Sequence, residues 1–141
     1  MTPVDALQVT LAGEHAAVHV LALVGARVSV GAEPGLAEQV RTAYAVHRGR
    51  RDQLIAMVRE AGSSPVAAEV SYEPATPAVT PAQVRLAAQV VEARCAAVYA
   101  DLVAGTAGAN RQWALDALED AAVRALGFGA RPEPFPGLGE L

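Results

Sequence analysis

Residues 4–30 read VDALQVTLAGEHAAVHVLALVGARVSV, with no proline and no polar run. Apolar or small residues recur at Val4, Leu7, Leu11, Val18, Leu21, Gly25 and Val28. The steps of three and four are those of a helix packed in a bundle. Glu14 interrupts the stripe where an aliphatic side chain is expected. A carboxylate on a buried face is costly unless it is paired or bound to metal. What faces Glu14 is therefore the first functional question.

Working outward, the chain has 141 residues, enough for one domain with a substantial core. Its hydrophobic content is 52% while aromatics make up only 4%, so alanine carries much of the apolar character. Small side chains let helices approach closely, and alanine is the best helix former. The formal charge is −4 and every Lys-or-Arg cation is arginine, which argues against nucleic-acid binding. Cys95 is the single cysteine, so an internal disulfide or a cysteine-cluster zinc site is excluded. The opening MTPVDAL lacks a basic n-region, and no signal peptide is expected. Glu14, His15, His19 and Arg27 argue against a membrane span, and a cytoplasmic location is expected.

Four helices are predicted, over about 4–30, 34–61, 81–104 and 110–126, with an irregular tail over 127–141. Thr2-Pro3 and Thr80-Pro81-Ala82-Gln83 are start signals: a threonine cap with proline at the first helical position. The link around Gly31–Pro34 is short and folds helix 2 back antiparallel. Helix 2 has its seam at Leu36, Val40, Tyr44, His47, Arg51, Leu54 and Val58. The proline-rich segment 62–80 has no helical period. It can extend about 60 Å, against about 40 Å for helix 1 or 2, so it can span the bundle. Helix 3 runs its seam through Val84, Ala88, Val91, Cys95, Val98 and Leu102, and helix 4 through Leu115, Leu118, Ala122 and Ala125. The expected fold is all-α: a ferritin-like four-helix bundle with a long crossover between helices 2 and 3, in a single domain over 1–141.

Helix heights bring Glu14, His47, Arg50, Arg51, Glu92 and Glu119 near the middle of such a bundle. Matching Glu14 against Arg51 favours a buried ion pair with Arg50 or Arg51. Ferritin-like di-metal sites take one glutamate from each of two helices and Glu-x-x-His from each of the other two. Here helix 2 offers Tyr44-Ala-Val-His47, and helix 4 offers Glu119 with no following histidine. The ligand set is incomplete, so no catalytic residue, metal or cofactor is assigned. His15 and His19, four apart, lack a nearby third ligand and are taken as packing residues.

The runs LAGEHAAVHVLALVGARV, AYAVHRGRRDQL, AAQVVEARCAAVYADL and ARPEPFPGL together resemble an uncharacterised actinobacterial family of ferritin-like helical proteins. The resemblance covers nearly the whole chain, implies a ferritin-like bundle and implies no established activity. The expected role is a non-catalytic structural or interaction protein. The alternative is an iron or manganese protein of oxidoreductase or metal-handling type, using Glu14, His47, Glu92 and Glu119. A second apolar stripe on helix 1, Val9, Gly13, Ala16, Val20 and Leu23, leads to the expectation of a homodimer through that helix.

Overall fold

The computed structural model describes residues 1–74 and 77–139. What the sequence suggests at Ala75, Thr76, Glu140 and Leu141 lies outside the described residues. Four helices form: α1 (Pro3–Gly25), α2 (Pro34–Glu60), α3 (Pro81–Gly105) and α4 (Gly108–Gly127). No strand occurs among the described residues. Both threonine starts take their expected form. Thr2 with Asp5 and Thr80 with Gln83 make reciprocal capping boxes, each followed by proline in the first turn.

Helix α1 ends at Gly25, five residues earlier than the periodicity predicts. Ala26 to Val30 contain two valines and a serine, weak helix formers that continue a helix only with packing support. The chain instead tightens, with Arg27 N–H donating to Val24 O and Val28 N–H to Gly25 O. Gly25 suits this corner because Val40 of α2 lies against it: a Cβ there would stand 3.1 Å from Val40 Cγ1.

Contacts along the helices fix their directions. Gly105 near the end of α3 meets Ala6 near the start of α1, while Arg27, just past α1, bonds Ala78 just before α3. Helix α1 is thus antiparallel to α3, as it is to α2, so α2 and α3 run parallel. Only a connection along the length of the bundle allows that. Its described residues are tied to α1 in sequence: Gln8 to Ser64 and Val66, His15 to Val66, and His19 to the ring of Tyr72. The crossover ends on Ala78, which is fully buried. Helix α4 runs against α2, with Trp113 bonded to Gln53 at one end and Gly127 O to Gln39 at the other.

The core consists of Leu7, Leu11, Leu21 and Val24 of α1, Leu36, Val40, Leu54 and Val58 of α2, and alanines with Val84, Tyr99 and Leu102 of α3. Helix α4 buries Ala114, Ala117 and Ala121, not the predicted Leu115, Leu118 and Ala122. Its phase is one residue off the expected one, because the close approach of α3 to α4 favours alanine over leucine at the seam. Helix α1 is long and apolar enough to cross a membrane by length and composition, yet it spends its apolar side chains on α2 and α3. Part of its second stripe is taken up within the chain, since Gly13 lies against Val98 of α3 and Val20 is buried, while Val9 is exposed and Ala16 and Leu23 are half-buried.

Candidate functional site

His47 is the centre of the polar layer and is completely buried. Its Nδ1 lies 2.7 Å from Glu14 Oε2 and its Nε2 3.1 Å from Glu92 Oε1. Both carboxylates are also fully buried. A neutral imidazole has one donor nitrogen and one acceptor nitrogen, whereas an imidazolium has two donors. Two carboxylates, one on each nitrogen, therefore select the protonated ring. Burial alone would push the His47 imidazole down, but the Cys95 sulfur, Glu14 and Glu92 outweigh it and hold it well above the usual value. The carboxylates dominate this pull, because burial pushes the Cys95 thiol up and keeps it neutral.

The remaining carboxylate oxygens extend the layer. Tyr99 hydroxyl donates to Glu14 Oε1. Burial holds that phenol well above its usual value, so it remains a donor. Arg50 lies with its guanidinium carbon 5.3 Å from the centre of the Tyr99 ring, and its Nη1 donates to the hydroxyl at 3.4 Å. Arg50 Nη2 reaches Asp120 Oδ2 at 2.6 Å. Asp120 also accepts from Arg124 Nη2, four residues on, at 3.0 and 3.1 Å. Burial would raise Asp120, but Arg124 and Arg50 bring it below the usual carboxylate value. Arg124 Nε lies 3.6 Å from Glu92 Oε1, a separation for charge attraction but not for a hydrogen bond.

The path is therefore closed: Glu14, His47, Glu92, Arg124, Asp120, Arg50 and Tyr99 return to Glu14, seven side chains drawn from all four helices. Its cations are His47, Arg50 and Arg124 and its anions Glu14, Glu92 and Asp120, so the formal charges cancel. Trp113 packs edge-on to Tyr99 at 6.0 Å and closes one side.

The partner of Glu14 is thus His47 and Tyr99, not an arginine. Early termination of α1 is the cause. Reflecting residue 14 about 29.5, halfway between Gly25 and Pro34, gives 45, close to His47 and over a turn short of Arg51. Arg51 turns away and pairs with its neighbour Asp52 at 2.8 Å. Arg50 joins the layer through Tyr99 and Asp120. Glu119 is exposed. It lies about 200° around α4 from the buried Ala117, and Asp120 takes the place expected of it. Arg124 went unnoticed in the sequence, although the Asp120–Arg124 spacing of four residues is a signal for a pair along one helix face.

A di-metal centre does not fit these residues. Tyr44 stands where helix 2 needs a glutamate, α4 supplies Asp120 and Arg124 in place of Glu-x-x-His, and the Arg124 guanidinium adjoins Glu92. A smaller donor set is present: Glu14, His47 and Cys95 each bring one ligand atom within 4.8 Å of the others.

No curated protein matches the chain. Among solved structures, a conserved hypothetical protein, Rv2844, from Mycobacterium tuberculosis is similar, with a TM-score of 0.81 and 29% identity. That likeness covers 88% of this chain and 92% of the other. The family model described as a domain of unknown function, DUF4439, matches residues 6–140, and the chain belongs to that family.

Proposed function

We propose that the protein is a ferritin-like bundle acting as a non-catalytic structural or interaction protein, with a charged ring at the height where ferritin-like proteins hold two metals. The observation that carries this reading is the buried His47, with a carboxylate oxygen of Glu14 against one ring nitrogen and one of Glu92 against the other. A protonated imidazole there supplies the positive charge that a metal would otherwise supply to those carboxylates. The ring orders four helices by mutual pairing, a use of buried charge that sets specificity more than stability. The likeness in fold is an analogy and does not by itself choose a function.

Elemental analysis of protein purified without chelator tests the proposal. The expected result is no stoichiometric transition metal and a melting temperature that chelator leaves unchanged. Near-stoichiometric iron or manganese, or a large fall in melting temperature with chelator, would overturn it. A second reading rests on the Glu14, His47 and Cys95 set. One dication held by His47 Nδ1, Glu14 and Cys95 would leave Nε2–H donating to Glu92, the carboxylate–histidine arrangement that commonly orients a metal ligand. Loss of a bound metal on Cys95→Ser, with the fold intact, would favour that second reading.

A further inference from the structure

Because α4 buries its alanines, its larger apolar side chains turn outward. Val123 and Leu126 are exposed, and so is Leu86 of α3. These three line a groove of about 400 Å³ together with Val90 and Ala122. The chain after α4 folds back and adds Pro132 and Pro136 to the lining. This return is held firmly. Gln89 donates to Phe128 O at 2.7 Å, and Phe128 itself is buried. Gly137, at φ +79°, presses so closely on α3 that a Cβ would overlap the Ala96 carbonyl. Groove and tail therefore form one preformed surface.

Phe135 stands on the rim of that surface. Its neighbour Pro136 lines the groove, but Phe135 does not, and it remains 61% exposed. An aromatic ring left in water beside an apolar groove marks a contact surface. The rim also carries opposite charges two residues apart. Arg131 and Glu133 both line the groove, and neither has an ion-pair partner among the described residues. Knob, groove and both charges thus lie on one face. A two-fold contact requires such a self-complementary face, because every pairing occurs twice with the roles exchanged. Turned about a two-fold axis, the face offers each Phe135 to the partner's groove and each Arg131 to the partner's Glu133. A small apolar molecule in the groove would leave both rim charges unpaired, so charge complementarity favours a second copy. Helix α1 offers less, since only Val9 of its second stripe is exposed.

We propose that a second copy of this chain docks on the α3–α4 face, with Phe135 of each copy seated in the groove of the other. The contact lies outside the charged ring and stands whether or not the ring excludes metal. Sedimentation velocity of the full chain over a concentration series is expected to show a reversible monomer–dimer equilibrium. Phe135→Ala is expected to weaken it at least about thirtyfold, the loss for an aromatic anchor in an interface. Phe135 is exposed in the single chain, so circular dichroism of this variant should remain helical. Arg131→Glu is expected to weaken dimerisation about tenfold, as two symmetry-related pairs turn repulsive, and adding Glu133→Arg is expected to restore it. Val9→Glu on α1 is the control and is expected to leave the equilibrium unchanged. In a mixture of isotope-labelled and unlabelled chains, filtered NMR is expected to place the Phe135 ring of one copy against the Leu86, Val123 and Leu126 methyl groups of the other. A dimer indifferent to Phe135→Ala overturns the proposal, as does one without those contacts between copies or one that the double charge swap fails to restore. Dissociation by Val9→Glu puts the contact on α1 and likewise overturns it. A chain that stays monomeric throughout the series overturns it too, and leaves the groove to another protein or a small apolar molecule.

Discussion

His47 makes sense only with its proton on. Remove the side chain, and Glu14 and Glu92 face each other across a dry gap. His47→Ala is therefore expected to cost about 3 to 5 kcal/mol in denaturant unfolding, the range for breaking a buried ion pair. Glu14→Ala belongs to the same class, at about 3 kcal/mol or more, whereas Glu14→Gln keeps oxygen and shape and should be milder. The sign of the pH effect follows from the raised imidazole. Its folded value lies above the unfolded value of 6.5, so its contribution is complete below 6.5 and is lost as pH rises through the raised value. Stability of the natural chain should thus fall on going from neutral to alkaline conditions, and His47→Gln should flatten that fall. Parallel slopes for the two proteins in a pH series of urea melts would contradict this. Asp120 acts at the other end: its lowered value places its contribution above about 3.8, to be lost as acid protonates it.

At the scale of the elements, capping chemistry was open to a reader of the sequence because it depends on residues three apart. Thr80 and Gln83 bond each other as their spacing requires. Thr80→Ala should cost about 1 kcal/mol, measured by thermal or urea melting. The length of α1 and the phase of α4 were not open in the same way. Val28 and Val30 sustain an apolar period, but only tertiary packing decides whether valines continue a helix. In α4 the alanines and the leucines offer two overlapping stripes, and the approach of α3 selects the alanines. These two differences account for the misplacement of Arg51 and Glu119 in the polar layer. Glu14, His47 and Glu92 were legible because each is a polar residue on or beside an apolar seam, while Tyr99, Asp120 and Arg124 emerge only when the helices are set side by side. The crossover gives a further check. Gln8 brackets Ser64 O and Val66 N–H from one side chain. Gln8→Ala should speed amide exchange at Val66 while leaving the slow-exchanging core of α1 unchanged.

For the whole molecule, the parallel course of α2 and α3 was foreseeable from chain length, since the proline-rich connection is long enough to span the bundle. The second stripe of α1 has a different outcome. With Gly13 against Val98 and Val20 buried, a homodimer through α1 remains a proposal resting on the exposed Val9 and the half-buried Ala16 and Leu23. Light scattering of the natural chain decides between one copy and two. The closed ring is what ties the four helices into one arrangement, and the state of His47 is its keystone. The most direct measurement is the nitrogen NMR spectrum of the histidine rings in protein purified without chelator, at about pH 8, above the ordinary histidine range. Both ring nitrogens of His47 are expected to carry protons there, each coupled through a hydrogen bond to a carboxylate. A His47 ring with one unprotonated nitrogen, or with the shift of a metal-bound nitrogen, would contradict it.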